Sequence, residues 1–261
     1  MTPALPLSWA VRTDAGLRRS SNEDSHTARP DIGLFLVADG MGGHAAGEVA
    51  SRVVVESVAA FIEETAGADS NRTWPFPFEP DLSLEANRLK AAFRLANRKL
   101  AHAIANSQDL RGMATTASAI LHGPRHSCVA HIGDSRVYVL RPEGLTQLTD
   151  DHSWVEEQVR AGALTPAAAR QHPWRNVVTR ALSGGDDDPE IDVVEFHPAP
   201  GERYLLCSDG LFGVVADDLL AEILGDRAAS LDEICGRLVE AANAAGGPDN
   251  ITAMVLQVDA P

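Results

Sequence analysis

Apolar positions along the chain move between unbroken runs, a helical recurrence and a strand-like alternation, and these rhythms predict the elements. Gly33 to Ala38 (GLFLVA) is a short apolar run closed by Asp39-Gly40, the pattern of a buried strand ending in a turn. From His44 to Thr65, apolar residues return at Ala46, Val49, Ala50, Val53, Val54, Val58, Phe61 and Ile62, which is helical spacing with one core-facing side. A loop over 66–80, with Pro75, Pro77 and Pro80 among aromatics, leads to a second helix over 83–106 that carries Leu89, Ala92, Phe93, Ala96, Leu100 and Ile104 on one face. Strands are predicted next at 114–121 and 127–132. A hairpin follows, 136–140 with 145–149, turning through Pro142-Glu143-Gly144.

The stretch 151–189 differs. It reads as two short helices, 153–161 and 166–171, followed by the acidic run Asp186-Asp187-Asp188, and Thr165 before Pro166 is a good N-cap with proline in the first turn. Strands resume at 191–196 and 203–207, a helix starts where Ser230 and Glu233 fit a capping box, and a last strand runs over 251–258. Helices come in adjacent pairs, and strands follow one another without helices between them. That order favours α+β layering over a parallel α/β sheet.

Composition narrows the classes. The 261 residues would hold one large domain or two small ones, and no repeat or Pro/Gly/Ser-rich linker cuts the chain in two. Hydrophobic residues at 44% and charged residues at 23% are ordinary globular values. A net charge of −15 repels phosphate backbones and anionic lipid, which argues against nucleic-acid or membrane-surface partners. Cys128, Cys207 and Cys235 are odd in number, form no C-x-x-C pair and sit in apolar stretches; buried thiols in a reducing compartment are expected. None has Arg six positions on, so the phosphate loop of a cysteine-dependent phosphatase is missing. The start lacks a signal-peptide pattern, and no apolar run approaches the roughly 18 residues of a membrane helix. The expectation is a soluble, cytoplasmic protein.

Carboxylates fall at equivalent places. Asp39 ends one predicted strand, Asp209 follows another, and Asp249 precedes the last; Gly40, Gly210 and Gly247 lie within two positions of them. Asp134, in Gly133-Asp134-Ser135-Arg136, repeats the arrangement. A single Asp-Gly after a strand is ordinarily a turn. Repeated at the rim of a buried sheet, beside residues small enough for close approach, carboxylates are what a hard-cation site requires.

Other readings of these stretches fail. Gly40 to Ala45 matches a loose G-x-G-x-x-A dinucleotide pattern, but Asp39 would face the pyrophosphate and the next element is a helix where a strand is required. Gly42 to Gly47 has P-loop spacing, yet Glu48 stands where the phosphate-binding lysine belongs. His122, His126 and Cys128 have spacings that could suit zinc; with Gly123-Pro124 between the histidines and no fourth ligand nearby, a hairpin turn and a core thiol are the better reading. Arg18 and Arg19, close to Glu23 and Asp24, would ordinarily be a solvated loop; beside a metal cluster they gain a second meaning, a phosphate-binding guanidinium held by carboxylates.

Taken in order, the motifs Arg19-Ser-Ser-Asn-Glu-Asp24, Asp39-Gly-Met-Gly-Gly-His44, Gly133-Asp134-Ser135-Arg136, Ser208-Asp209-Gly210 and Gly247-Pro248-Asp249-Asn250 resemble those of the metal-dependent protein phosphatases, the PPM or type 2C serine/threonine phosphatases, in their compact bacterial form. The resemblance runs from about Trp9 to Val258. It departs at Ala114, where the family usually has a second glycine, and in a longer loop over 66–81 that has no assigned role.

The resemblance implies a four-layer αββα sandwich, two antiparallel sheets flanked by helix pairs, as a single catalytic domain over 8–259 with a flap at about 151–189. It implies two divalent cations, Mn²⁺ or Mg²⁺, with Asp39 bridging them, the Gly40 carbonyl completing one sphere, and Asp209 and Asp249 the other. Asp134 would line a third, weaker position with Asp209. A water bridging two cations would hydrolyse phosphoserine or phosphothreonine on proteins without a covalent intermediate. Arg19 rather than Arg18 would hold the phosphate, Asp24 would bind metal-coordinated water, and His44 is the candidate general acid, its other reading being a residue that merely starts the helix. Trp154 and Trp174 would pack the flap or meet substrate, packing being preferred. Expected partners are phosphoproteins and an opposing bacterial Ser/Thr kinase, with the chain itself monomeric. The alternatives are a non-catalytic phosphoprotein-binding module of the same fold and a metal-dependent phosphodiesterase or nuclease, the latter disfavoured by the acidic charge.

Overall fold

Among the residues that the computed structural model describes (5–42, 46–67, 73–123, 126–185 and 188–260), strands pair into two sheets, each antiparallel throughout. The first has the order β1 (Leu7–Asp14), β11 (Ile251–Val258), β10 (Arg203–Cys207), β7 (Arg136–Arg141), β8 (Gly144–Gln147). The second runs β2 (Asp24–Arg29), β3 (Leu34–Met41), β5 (Ala117–His122), β6 (Ser127–Ile132), β9 (Asp192–Phe196), with β4 (Ala114–Thr115) paired to the end of β3. Helices α1 (Ala46–Glu64) and α2 (Leu84–Asn106) cover the second sheet, and α6 (Asp217–Gly225) and α7 (Leu231–Ala244) cover the first. The expected αββα sandwich is the fold.

The period of two along a strand explains the unbroken apolar runs. In β3, Leu34, Leu36 and Ala38 pack under α1 and α2, while Phe35 and Val37 point into the space between the sheets. In β11, Ala253 and Val255 meet α7, whereas Met254, Leu256 and Val258 join Phe35 and Val37 in that central layer. Both faces of a central strand are therefore buried, and a polar side chain is admitted there only with a hydrogen-bond partner, as Ser118 has in His131. Burying a side chain of this size stabilises by roughly 1.5–3 kcal/mol, so three such layers carry the hydrophobic stability.

Helix ends follow their local chemistry. Ser83 accepts a hydrogen bond from the Ala86 amide (3.2 Å), and Thr165 accepts one from Ala168 (3.2 Å) ahead of α4 (Pro166–Arg170). Ser153 caps α3 (Trp154–Arg160). The capping box at α7 is present, with Glu233 N–H donating to Ser230 Oγ (3.3 Å) and Ser230 N–H to Glu233 Oε2 (2.8 Å).

The structure departs from the sequence reading in several elements. β1 has only the three-residue apolar stretch Trp9-Ala10-Val11 and β2 has none; β2, Asp-Ser-His-Thr-Ala-Arg, is an edge strand held by its ladder with β3. The expected strand 114–121 is broken at Thr116, whose N–H turns to the Asp39 carbonyl (2.9 Å). α6 begins without a side-chain cap at Ala216, so its start has no local signal. In the loop 73–82, Phe76 is buried with the Arg98 guanidinium 4.2 Å from its ring centre, and Trp74 lies against Phe61 and Phe78, closing the side of the α1–α2 layer. The cysteines are free and buried, as expected. His122 accepts from Ser127 Oγ (2.8 Å) within its hairpin and donates to the Leu5 carbonyl (2.9 Å) of the segment before β1; Pro124 lies outside the described residues. Among the described residues no helix is long and apolar enough to cross a membrane.

Ser230→Ala removes the first-turn acceptor of α7 and is expected to cost about 1 kcal/mol, read as a lower urea midpoint with an unchanged slope.

Candidate metal centre

The functional aspartates come from both sheets and meet at one end of the sandwich. Asp24 in β2 and Asp39 in β3 are direct cross-strand partners, so their side chains share one face of the second sheet. Asp134 follows β6 of that sheet. Asp209 opens the short helix α5 (Asp209–Phe212) after β10 of the first sheet, and Asp249 lies just before β11. Gly210 permits this closeness: a Cβ there would strike the Asn250 carbonyl, so only glycine lets α5 settle against the start of β11.

Electrostatics record the convergence. Burial raises the Asp39 carboxyl well above the usual carboxylate range, and the charges of Asp24, Asp209, Asp134 and Asp249 raise it further. Asp24 is raised by burial against the hydrogen bonds of Thr252 and Ser208. Asp134 is raised by burial, then by Asp209 and Asp151. Asp209 is raised by burial and Asp249, while Arg19 acts in the opposite sense. Crowded carboxylates out of water disfavour their own ionisation unless positive charge joins them.

The carboxylates of Asp24 and Asp249 and the main chain of Asp39 are held by groups most of which carried no assigned role. Asp24 Oδ2 accepts from Ser208 Oγ (2.7 Å) and Thr252 Oγ1 (2.6 Å). The Asp39 amide donates to Thr116 Oγ1 (3.2 Å), and its carbonyl accepts from Thr115 Oγ1 (2.8 Å). Asp249 Oδ1 accepts from the Asn250 amide (2.9 Å), and Asp249 Oδ2 from Arg19 Nη2 (2.7 Å). Asn250 ties the upstream loop to this corner: Oδ1 accepts from the Glu23 amide (2.8 Å), and Nδ2 donates to the carbonyls of Ala15 (3.0 Å) and Ser21 (2.8 Å). Adjacency was the available signal, since Asn250 follows Asp249 and Ser208 precedes Asp209.

Arg19 is half-exposed and leans into the cluster, near Asp249, Glu23 and Asp39. Arg18 is exposed. Gly40 is buried beside Asp39, its N–H donating to the Glu23 carbonyl (3.2 Å). His44 and the neighbouring Gly43 lie outside the described residues. Trp154 packs on Trp174 and His172, each with ring centres 4.8 Å away, while Trp174 is itself exposed. A cleft of about 450 Å³ opens next to Asp134 and Asp209, walled by Val155, Val159, Pro166 and Val214.

The donor set suits a hard cation. It is all oxygen, and among the described residues Asp209 Oδ1 and Asp24 Oδ1 are buried acceptors without a hydrogen-bond partner. Among the described residues no three or more His, Cys, Asp or Glu side chains form a ready-made cage, so a cation here would draw part of its coordination from main-chain carbonyl and water.

Comparison with known proteins places this geometry. Residues 17–253 match the family described as Protein phosphatase 2C. The serine/threonine protein phosphatase PstP of Mycobacterium tuberculosis is 41% identical over 254 residues, 97% of this chain, and the chain spans about half (45%) of the length of that relative. The serine/threonine phosphatase stp of Listeria monocytogenes is 34% identical, over 95% of this chain and 94% of its own. A crystal structure of the PstP catalytic domain in complex with 2 manganese ions superposes with a TM-score of 0.80 at 40% identity, covering 97% of this chain and 99% of that one. The ordered motifs, the two-sheet sandwich and the carboxylate corner thus have one common explanation: this chain belongs to the protein phosphatase 2C family.

Proposed function

We propose that the chain is a metal-dependent protein phosphatase that hydrolyses phosphoserine and phosphothreonine esters, with residues 8–259 acting as one catalytic domain. The observation that carries this reading is the convergence of Asp39, Asp209, Asp134 and Asp249 on an all-oxygen corner with an unpartnered buried oxygen on Asp209, next to the Arg19 guanidinium. Family membership and the manganese complex of the PstP domain support it.

Asp39, Asp209 and Asp249, with the Gly40 carbonyl, would hold two cations, Mn²⁺ or Mg²⁺, and Asp134 with Asp209 a third, weaker one. When bound, such cations supply an acidified water as nucleophile and offset charge on the phosphoryl oxygens. The chain's own groups orient the ester. Asp249 uses one terminal nitrogen of Arg19. A guanidinium carries five N–H donors, so Arg19 can hold carboxylate and phosphate together. Asp24 presents its unpartnered Oδ1 to the cluster while Ser208 and Thr252 fix Oδ2, which suits it to hold an ordered water. The open cleft beside Asp134 gives room for a phosphorylated segment of a protein substrate, with a Ser/Thr kinase as the opposing enzyme.

A phosphothreonine peptide is expected to be hydrolysed with added Mn²⁺ or Mg²⁺ and not in chelator. Asp39→Asn and Asp209→Asn are each expected to abolish turnover while the far-ultraviolet spectrum stays native. Full turnover by metal-stripped protein, or peptide binding without turnover at saturating Mn²⁺, would reject this reading; the latter result identifies a non-catalytic binding module.

Arg19→Ala is expected to raise KM with a smaller fall in kcat, because much of the contact exists in the bound ground state. A hydrogen bond to a charged group contributes about 1.5–3 kcal/mol, so kcat/KM should fall on the order of ten- to a hundredfold. Arg18→Ala, at an exposed position, should change little, and steady-state kinetics on one peptide compares the two.

The raised carboxyls also set a pH dependence. Between the ordinary aspartate value near 3.9 and their raised folded values, the folded protein binds more protons than the unfolded chain. Their contribution to stability is therefore lost as pH rises through that window. In chelator, Asp39→Asn should unfold at higher urea than wild type at about pH 8, with the gain shrinking toward about pH 4. An equal midpoint at both pH values would remove the crowding argument.

A further inference from the structure

The turn that carries Asp134 is gripped from behind by the segment after β8. His152 N–H donates to the Gly133 carbonyl (2.7 Å), and the Gly133 N–H donates back to His152 Nδ1 (3.0 Å). Since Nδ1 accepts, the proton of the neutral ring is on Nε2, which donates to Asp192 Oδ2 (3.0 Å). Asp192 is itself held by Arg180, Nη1 to Oδ1 at 3.0 Å. The buried His152 ring lies 4.7 Å from that of His131, whose Nε2 donates to the Asp150 carbonyl (3.1 Å). On its other side Gly133, at φ +109°, meets Thr116, where any Cβ would strike the Thr116 side chain. Thr116 in turn binds the Asp39 amide (3.2 Å) and the Ser135 hydroxyl (2.6 Å). Next to His152, Asp151 holds Arg136 through two nitrogens (2.9 and 2.7 Å), and the Arg136 guanidinium lies 3.7 Å over the ring of Phe212, which closes the helical turn that Asp209 opens.

We propose that His152, kept in its Nε2–H form by Asp192, is a positioning residue that fixes the Gly133–Asp134 turn and thereby aims the Asp134 carboxylate into the cluster. The inference rests on the phosphatase reading of that cluster. Its physical basis is donor–acceptor matching. With the proton on Nδ1, the ring would set a donor against the Gly133 N–H, and Asp192 removes that state by accepting from Nε2. Without the imidazole, the buried Gly133 N–H has no acceptor, and a glycine free to leave its positive φ no longer directs the residue after it. Partners of this kind, one shell behind a ligand, are worth ten- to a hundredfold in activity or metal affinity.

A double-mutant cycle tests this, because a residue that acts through Asp134 has nothing to act on once Asp134 is gone. With p-nitrophenyl phosphate and saturating Mn²⁺, His152→Ala is expected to lower kcat by about tenfold with KM little changed, and to do almost nothing in an Asp134→Ala background. Calorimetric Mn²⁺ binding should weaken in His152→Ala, and amide exchange at Gly133 should quicken. His152→Asn, which restores an acceptor near the Nδ1 position, should recover part of each. His122→Ala, at the opposite end of the same sheet and also losing two hydrogen bonds, is the matched control: its melting temperature should fall while kcat and Mn²⁺ binding hold. Equal losses from His152→Ala in both backgrounds, or Mn²⁺ binding and kcat as in His122→Ala, would overturn the proposal. Should His152→Ala fail to fold, Asp192→Ala, at a partly exposed side chain, carries the same test, and unchanged Gly133 exchange there overturns it. Wild-type protein inactive on both this ester and a phosphothreonine peptide would instead overturn the phosphatase reading, and the exchange at Gly133 would still report on the clamp.

Discussion

Like charges forced together out of water are the constraint on which this structure turns. Asp24, Asp39, Asp134 and Asp209 are driven upward by burial before any neighbour acts, and the charge of Asp249 adds to the rise at Asp24, Asp39 and Asp209. A cluster of this kind does not persist by itself, since every carboxylate would gain by turning outward to water. The rest of the fold prevents that. Two sheets with three apolar layers supply the rigid frame, and short hydroxyl and amide side chains pin the carboxylates or their main chain from behind.

The sandwich brings the acids together through its topology. β2, β3 and β6 belong to one sheet and β10 and β11 to the other, so the corner forms only when both sheets have paired and stacked. Stability and site geometry are thereby coupled: Phe35 and Val37 face Met254 and Leu256 across the central layer, and the same two strands run on to Asp39 and start just after Asp249. A loss of packing there would separate the ligand set without touching a polar atom.

Charge is distributed to the same end. Arg19 sits at the rim with Asp249, where it offsets part of the negative field yet stays half in solvent. Arg136 is used differently, largely covered and held against Asp151 and Phe212 as a structural cation. The two arginines illustrate how burial decides role: the exposed one retains donors for a ligand, and the enclosed one spends them on the frame.

Local sequence determined a large share of this. Apolar runs with both faces buried, the helical recurrence in α1 and α2, and the caps at Thr165 and Ser230 report on neighbours within a few residues, so they are legible without a fold. Asp39, Asp134, Asp209 and Asp249 were legible as candidates because each stands near a strand end within two positions of a glycine, whereas the role of Asp24 came only with the family resemblance. Edge strands β1 and β2 were not, since β2 is held by its ladder to β3 rather than by an apolar face, and α6 was not, since its first turn has no side-chain cap. Nor could sequence tell that Asn250 binds the Glu23 amide, 227 positions away, or that His152 exchanges hydrogen bonds with Gly133 across 19 positions. Those contacts depend on register and layer stacking, which long-range packing decides. Residue types and spacing set which chemistry was available; only tertiary structure decided which carboxylates share a corner and what holds each of them there.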